Sequence, residues 1–324
     1  MSAATAAAET LHVPVMGAEV VQNLSPRADG SYVDGTFGAG GYSRMLLDAG
    51  AGHVFGIDRD ATAIAGGEHL VEAYPSRLVL LEGQFGEMSR LLEAAGVDAV
   101  DGVALDLGVS SMQIDQADRG FSFMRDGPLD MRMGRDGPSA ADLVNHVDEF
   151  TLADWFWRYG EERHSRRIAR AIIAARAIEP LTRTLQLAEV VARAMPRRDP
   201  NHHPATRAFQ GLRIAVNDEL GELERGLAAS ERLVKPGGRC AVVSFHSLED
   251  RIVKSFFRER SGNQPRGSRH MPEIVRAQAA SWRLLTRRPL TPSAAEIAAN
   301  PRARSARLRV AERLETPSIE EAAE

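Results

Sequence analysis

Residues 33–43, VDGTFGAGGYS, place an acid and four glycines directly after an apolar, strand-like start. Glycine adopts positive φ angles and has no Cβ to obstruct a ligand. The stretch could therefore be a plain tight turn or the floor of a nucleotide-type pocket. Its spacing differs from the dinucleotide fingerprint G-x-G-x-x-G, and a carboxylate at Asp34 would repel a pyrophosphate. An acid at this position suits a cation, such as an α-amino group.

Three further side chains, Asp58, Phe85 and Asp106, follow apolar segments that have the pattern of strands. In an open parallel sheet, ligands bind beyond the carboxyl ends of the strands, so these side chains should share one edge with the glycines. Asp58 lies 20 residues after Gly38, a separation at which an acid accepts hydrogen bonds from ribose hydroxyls. These strand ends predict a pocket for a nucleoside-bearing cofactor, with core packing as the alternative role of Phe85.

The sheet that these residues require is indicated by the periodicity of the chain. Four strand-like segments alternate with helical patterns: SYVDGTF, GHVFGIDRD, RLVLLEGQF and VDGVALDLG. Strands that are apolar on both faces are typical of a mainly parallel sheet covered by helices on both sides. The sequence therefore predicts an α/β, Rossmann-like core.

The alternation is interrupted in the middle of the chain. Residues 139–198 carry only helical patterns, and a long helix, a KPGGR turn and the strand CAVVSF follow. We predict a core of residues 1–112 and 208–315 and an inserted all-helical region of residues 113–207. The acidic residues 316–324 are expected to be a disordered tail.

Composition excludes several classes of protein. The chain has 324 residues, a net charge of −4 and no run of 18 apolar residues, so we expect no membrane span. The single cysteine, Cys240, begins an apolar run and is predicted to be a buried hydrophobic residue, which fits a reducing cytoplasm. Residues 158–213 contain twelve arginines and five acidic residues, and residues 258–309 contain twelve arginines and three acidic residues. Such segregated basic segments are the pattern expected for contact with a nucleic-acid backbone, or else are solvated helix faces.

Nine motifs stand in order along residues 12–310, and together they give a specific resemblance. They are HVPV at 12, DGTFGAGGYS at 34, GIDRD at 56, DLGVSSMQ at 106, RGFSF at 119, PLDMRM at 128, HPATRAFQGLRIAVNDEL at 203, SFHSLEDRIVK at 244 and NPRARSARLR at 300. In these motifs the chain resembles the bacterial 16S ribosomal RNA cytosine-N4 methyltransferases, the family also called MraW. The resemblance implies a class I methyltransferase fold and S-adenosylmethionine as the cofactor.

The resemblance also implies which residues hold the cofactor. The residues that it implies are Gly40, Gly41, Tyr42, Asp58, Phe85, Asp106 and Gln113. The glycine turn itself suggests Gly38 as a further member of this set. Most family members have His where this chain has Tyr42. A backbone contact there would tolerate the change, whereas a contact through the imidazole would be lost.

The implied reaction is N4-methylation of a decoding-centre (P-site) cytidine in 16S rRNA of the 30S subunit. Its exocyclic amine needs hydrogen-bond acceptors, and Asp106, Ser110 and Ser111 are the available ones. His246 could accept the proton, although a hydrogen-bonded loop histidine is the favoured interpretation. No metal site is implied by His202, His203 and His246.

The helical region, which includes Trp155, Trp157 and Tyr159, is expected to face RNA, with Arg166, Arg167 and Arg170 as candidate phosphate contacts. A homodimer is possible. Two alternatives remain: a nicotinamide-dependent oxidoreductase, against which Asp34 and the glycine spacing count, and a non-catalytic RNA-binding module.

Overall fold

The computed structural model describes residues 14–195, 203–262 and 279–315. The chain divides into two compact units, residues 1–107 with 225–324 and residues 108–224. The boundary at 224 falls within one helix, Glu219–Leu233. The predicted tail, residues 316–324, lies outside the described residues.

The first unit is built on a seven-stranded sheet. Its strands are β1 (Ser31–Asp34), β2 (His53–Asp58), β3 (Leu78–Glu82), β4 (Val100–Asp106), β5 (Val234–Ser244), β6 (Trp282–Leu284) and β7 (Arg307–Arg313). Their order is β3-β2-β1-β4-β5-β7-β6; the pairs β5–β7 and β7–β6 are antiparallel, and the other neighbouring strands are parallel. This mostly parallel Rossmann-like sheet confirms the predicted fold class.

Fourteen α-helices occur in the described residues. Those of the first unit are α1 (Gly17–Leu24), α2 (Gly41–Asp48), α3 (Ala61–Gly66), α4 (Glu68–Ala73), α5 (Met88–Ala94), α13 (Ser247–Arg260) and α14 (Ala294–Ala299). Those of the second are α6 (Ser111–Asp115), α7 (Ala140–His146), α8 (Glu149–Arg158), α9 (Ser165–Arg176), α10 (Thr184–Ala194) and α11 (Thr206–Asn217), and α12 (Glu219–Leu233) contains the boundary. No helix in the described ranges combines the length and the apolarity that crossing a membrane requires.

Both faces of the sheet are buried. Ala241 and Val243 of β5 belong to one hydrophobic cluster together with residues of α1 and α2. Cys240 and Val242 alternate with them and so point to the opposite face, where they are also fully buried. Cys240 is therefore a core residue, as the sequence predicts, and burial raises the pKa of its thiol to about 12.

Glycines shape two elements of the first unit. The segment ATAIAGGEHLVEAY forms two short helices, α3 and α4, which meet at Gly67, where a Cβ would lie 2.5 Å from the Phe37 ring. Strand β5 begins at Val234, before the predicted turn, because Lys235-Pro236-Gly237-Gly238 forms an irregularity inside the strand. The register shifts there, from Val100 opposite Val234 to Gly102 opposite Arg239.

The second unit has its own hydrophobic core. Leu152, Phe156, Ile168 and Leu187 from α8, α9 and α10 are buried in one cluster. Ala208, Phe209 and Leu212 of α11 belong to the same cluster. The sequence assigned residues from 208 onward to the first unit, but this helix packs its apolar face against the helices of the second.

The irregular segment before α7, residues 120–139, is anchored by Asn217 at the end of α11. The Asn217 side chain accepts a hydrogen bond from the Met133 amide (2.8 Å) and donates one to the Met131 carbonyl (2.8 Å). Met131 is fully buried with a φ of 61°, so this irregular segment is a packed part of the unit.

Candidate cofactor-binding site

The glycine turn joins β1 to α2 and requires glycine at two positions. Gly38 has a φ of 53° and Gly40 a φ of 75°, both in the left-handed region. A Cβ at Gly40 would also collide with Leu70 and Phe37, whereas one at Gly38 would meet only the Thr36 carbonyl, at 3.8 Å. Gly40 is therefore required for packing, and Gly38 faces open space where a ligand can approach the backbone.

Asp34 lies beneath this turn and supports it. Its Oδ2 accepts hydrogen bonds from the Ser43 amide (3.0 Å) and hydroxyl (2.8 Å), and its Oδ1 accepts one from the Thr36 amide (3.4 Å). The residue is only 1% exposed, and burial raises its pKa to about 6 against the lowering effect of these bonds. The sequence suggested that Asp34 contacts a cation. The structure shows instead that its carboxylate supports the glycine turn.

Asp58, at the end of β2, also contacts the turn. Its Oδ2 accepts a hydrogen bond from the Gly38 amide (2.8 Å), and its Oδ1 accepts one from the Asp60 amide (2.8 Å). Burial raises its pKa, although both amides act in the opposite direction. A carboxylate has about four acceptor sites, so two remain for hydroxyl groups of a ligand.

Asp106, at the end of β4, has an unusual environment. Its amide donates a hydrogen bond to the Thr36 hydroxyl (2.7 Å), which connects it to the glycine turn. Its Oδ1 is buried and has no hydrogen-bond partner within residues 14–195, 203–262 and 279–315. Burial, and then the charges of Asp34 and Glu249, hold its pKa well above the ordinary value. A buried acceptor without a donor is costly, so this atom is suited to a donor or cation from outside the chain.

Glu249 was not predicted from the sequence. It is only 2% exposed and accepts hydrogen bonds from the Phe245 and His246 amides (2.8 and 3.2 Å) at the start of α13. His246 is the N-cap residue of this helix, and its Nδ1 accepts from the Glu249 amide at 3.5 Å. The H-x-x-E spacing in SFHSLED was the available signal, since an N-cap residue followed three positions later by Glu is typical of a capping box.

Phe85 and Tyr42 have different surroundings. Phe85 is half-buried, and its ring lies against Gly226 of α12, where a Cβ would be 2.6 Å from Cε2. The Tyr42 side chain is only 3% exposed, and its hydroxyl donates to the Val15 carbonyl (2.5 Å). Tyr42 therefore presents its backbone to the turn, and replacing a histidine there by tyrosine leaves that backbone available.

The amino end of α2 offers two further donors. The amides of Gly41 and Tyr42 have no acceptor among the described residues, while the next two amides bond to Asp34 Oδ2 and to the Gly40 carbonyl. Unpaired amides at a helix N-terminus bind anionic groups such as carboxylates. The first unit thus brings together amide donors and the carboxylates of Asp58 and Asp106.

Three of the residues predicted to bind the cofactor or the amine belong to the second unit. Ser110 and Gln113 form a reciprocal cap at the start of α6: the Ser110 amide donates to Gln113 Oε1 (3.0 Å), and the Gln113 amide donates to Ser110 Oγ (3.2 Å). Gln113 is 8% exposed. The side chain of Ser111 lies outside what the structure describes, as do His202 and the other residues of 196–202.

The three candidate RNA contacts lie on α9. Arg166, Arg167 and Arg170 are all exposed, on the side opposite the buried Ile168 and Ile172. Arg170 Nε lies 3.6 Å from Glu149 Oε1, whereas Arg166 and Arg167 form no ion pair with the described residues.

Comparison with known proteins decides the family. The sequence model of the MraW methylase family matches residues 9–314. The chain belongs to the MraW methylase family. Ribosomal RNA small subunit methyltransferase H of Paramagnetospirillum magneticum is 59% identical to this family member over 310 residues, covering 95% of this chain and 98% of the relative. The same-named protein of Rhodospirillum centenum is 60% identical over 311 residues, covering 96% and 94%.

Similarity to solved structures is more distant. An rRNA methylase of Streptococcus thermophilus matches this MraW family member with a TM-score of 0.37 and 9% identity, over 92% of this chain and 94% of that one. The order and direction of the strands identify the fold independently of this likeness.

Proposed function

We propose that this protein transfers a methyl group from S-adenosylmethionine to the exocyclic N4 amine of a P-site cytidine in 16S rRNA. The observation that carries the proposal is the buried Oδ1 of Asp106 at the end of β4, for which the described residues offer no hydrogen-bond partner. Membership of a methylase family supports the reaction class, and relatives named ribosomal RNA small subunit methyltransferase H support the substrate class. The proposed cytoplasmic location and a homodimer stay predictions.

The described residues of the first unit fit this cofactor. Asp58 has acceptor capacity left for ribose hydroxyls, and the Gly41 and Tyr42 amides can donate to a carboxylate. Asp34, Asp58 and Asp106 are carboxyl groups whose pKa is raised by burial, and a cationic ligand nearby would favour their ionised forms. When bound, S-adenosylmethionine supplies an activated methyl group on a positively charged sulfur.

Asp106 is the proposed acceptor for the amine. The lone pair of an exocyclic amine is delocalised into the base, so the nitrogen becomes a better nucleophile when its N–H groups donate to a fixed acceptor. Asp106 has one oxygen in need of a donor, and its position is fixed through the Thr36 hydroxyl. The resemblance also assigns Ser110 and Ser111 to the amine and Gln113 to the cofactor, and these assignments stay predictions.

The other common methylation sites on a nucleotide fit the chain less well. Methylation of cytosine C5 uses a cysteine nucleophile, and Cys240 is buried with a pKa raised to about 12. Methylation of a ribose oxygen needs a base, commonly a lysine, and the sequence has only Lys235 and Lys254. Lys235 pairs with Asp101 (3.1 Å) at the opposite end of β4 from Asp106. An amine target is the one that the residues around Asp106 favour.

The product is the direct test of this proposal. We expect the protein to transfer a labelled methyl group to 30S subunits, and nucleoside mass spectrometry to identify N4-methylcytidine. A 5-methylcytidine or 2′-O-methyl product would overturn the proposed chemistry. No transfer to either naked 16S rRNA or subunits would support a non-catalytic RNA-binding module instead.

Substitution of Asp58 tests the cofactor site. We expect Asp58→Ala to weaken S-adenosylmethionine binding by about 1.5–3 kcal/mol, the contribution of hydrogen bonds to a charged acceptor. Asp58→Asn should lose less, because an amide oxygen can still accept from Gly38. Calorimetry measures both, with the exposed Asp98→Ala as the control. Unchanged affinity in a folded Asp58→Ala variant would remove Asp58 from the site.

The arginines of α9 are proposed to bind RNA phosphates and not the cofactor. Replacing Arg166, Arg167 and Arg170 by Gln should lower the slope of log K against log salt by about two units, at about 0.7–0.9 per phosphate contact. The control is Arg158→Gln/Arg193→Gln, since each of these arginines already pairs with an acid on its own helix. Equal slopes for the triple variant and the wild type would mean that the α9 face is only solvated.

A further inference from the structure

A second pocket lies in the first unit, away from the glycine turn, among α13, β6 and β7. Its volume is about 100 Å³, several times the space that one bound water needs. Eight residues line it: Lys254, Phe257, Arg258, Leu284, Thr286, Arg287, Arg309 and Val310. Nothing in the proposed reaction uses this pocket.

The lining is strongly basic. Four of its eight residues are cationic, and none of the described lining residues is an acid. Lys254 and Arg287 are exposed at its rim, and neither forms a hydrogen bond or ion pair with the described residues. Cations that share a pocket repel one another unless an anion neutralises them, so this arrangement favours a negatively charged ligand.

Arg309 gives the pocket a fixed cation. It is only 9% exposed, and Asp250 holds it through two hydrogen bonds, from Nε to Oδ1 (2.7 Å) and from Nη2 to Oδ2 (3.1 Å). This bidentate pair fixes the guanidinium plane and leaves Nη1 without a hydrogen bond among the described residues. A planar guanidinium with donors to spare matches the oxygens of a phosphate.

The rest of the lining completes the site. Phe257 and Val310 are buried, at 1% and 0% exposure, and an apolar floor strengthens the attraction between a charged ligand and the cations above it. Thr286 is held in place because its hydroxyl accepts a hydrogen bond from the Val310 amide (2.9 Å). The pocket therefore combines the fixed guanidinium of Arg309, two exposed cations that pair with no described residue, and a rigid apolar floor.

We propose that this pocket binds a phosphate group. Its position in the most basic segment of the chain, residues 258–309, favours a backbone phosphate of RNA over a free phosphate ion. The choice of RNA rests on the proposed function, whereas the phosphate chemistry does not.

The test compares two double variants with equal loss of charge. Lys254→Gln/Arg287→Gln removes the two free pocket cations, and Arg288→Gln/Arg304→Gln removes two exposed cations that do not line the pocket. None of these four side chains has an ion-pair partner among the described residues, so both variants should fold. Arg309 is left intact, because its removal would strand the Asp250 carboxylate.

The first expected result is a weaker and less salt-dependent binding of RNA by the pocket variant. Affinity for 30S subunits should fall about tenfold in the pocket variant at low salt, and the slope of log K against log salt should fall by about 0.7–0.9, the value for one phosphate. The control variant should change both quantities clearly less. Binding of inorganic phosphate, followed by ³¹P NMR line broadening, should be present in the wild type and lost in the pocket variant alone.

The two measurements separate the possible outcomes. Loss of phosphate binding with unchanged subunit affinity would support the pocket and assign it to a free phosphate. If the wild type failed to methylate or bind subunits, the proposed function would fail, while the phosphate measurement would still decide the pocket. Equal behaviour of the two variants in both measurements would overturn the proposal.

Discussion

Asp106→Ala is expected to lower the rate of methyl transfer, measured as kcat, by about 10²–10³-fold, the loss typical of removing one fixed polar group that stabilises developing charge. The physical reason is the buried Oδ1, which has no hydrogen-bond partner among the described residues and is the proposed acceptor for the amine. RNA affinity should change much less. Cofactor affinity needs a separate measurement by calorimetry, because a cationic ligand would also interact with this carboxylate.

The stability of the same variant distinguishes a functional residue from a structural one. Burial and the charges of Asp34 and Glu249 raise the pKa of Asp106, so the ionised group destabilises the folded state at neutral pH. This cost appears as the pH rises above the unfolded pKa of about 3.9 and grows until the folded pKa is passed. Asp106→Ala should therefore keep or raise the Tm at pH 7–8 while losing activity.

Two controls complete this experiment. Asp106→Asn keeps an acceptor oxygen without the charge and should retain more activity than Asp106→Ala. Asp98→Ala removes an exposed acid from the segment before β4 and should change neither kcat nor Tm. A kcat for Asp106→Ala within tenfold of the wild type would exclude Asp106 as the acceptor.

The strand ends were predictable because they depend on local patterns. Apolar runs followed by an acid or a glycine turn located Asp58 and Asp106 correctly at the ends of β2 and β4. The parallel arrangement then follows from the βα alternation, since such crossovers place successive strand ends on one edge. Gly40 was predictable as well, because a positive φ before a helix is a local requirement.

The role of Asp34 could not be read from the sequence in the same way. An acid before a glycine turn fits both contact with a ligand and support of the turn, and only the bonds to Ser43 and Thr36 distinguish the two. Similarly, Tyr42 reaches the Val15 carbonyl across 27 positions of the chain. Such contacts depend on the assembled core, which periodicity does not encode.

The domain boundaries near α11 have a comparable cause. The amphipathic pattern of Thr206–Asn217 shows that one face is buried but not which core receives it. The strand extension at Val234 was hidden because Pro236 and two glycines normally indicate a turn. The irregularity in β5 accommodates them without ending the strand.

The largest expected effect on stability is at Asp250, which joins α13 to β7. Its carboxylate accepts two hydrogen bonds from Arg309 and one from Arg307 (3.1 Å), and Asp250 and Arg309 are only 7% and 9% exposed. Asp250→Ala leaves the guanidinium of Arg309 buried without its acceptor. Breaking a buried pair in this way costs about 3–5 kcal/mol, so the urea midpoint of unfolding should fall markedly.

The matched control is an ion pair on the surface. Asp154 and Arg158 pair at 3.2 Å on α8, with side-chain exposures of 35% and 61%. Asp154→Ala should therefore cost about 0.5 kcal/mol or less, because water screens this pair. A similar loss in the two variants would mean that the burial of Asp250 does not matter.

Reversal of the Asp250 effect separates an unpaired charge from lost packing. In Asp250→Ala/Arg309→Met the stranded cation is replaced by an apolar side chain, and most of the lost stability should return, because an apolar replacement of a buried pair is often neutral.

The pH dependence of stability gives an independent check. Burial alone would raise the pKa of Asp250, but the hydrogen bonds and charges of Arg309 and Arg307 outweigh it and hold the pKa below its ordinary value. Its contribution is thus present above the unfolded pKa of about 3.9 and is lost as the pH falls through the folded pKa, so wild type and Asp250→Ala should converge in acid. If the double variant were no more stable than Asp250→Ala, the carboxylate would act through packing and not through its charge.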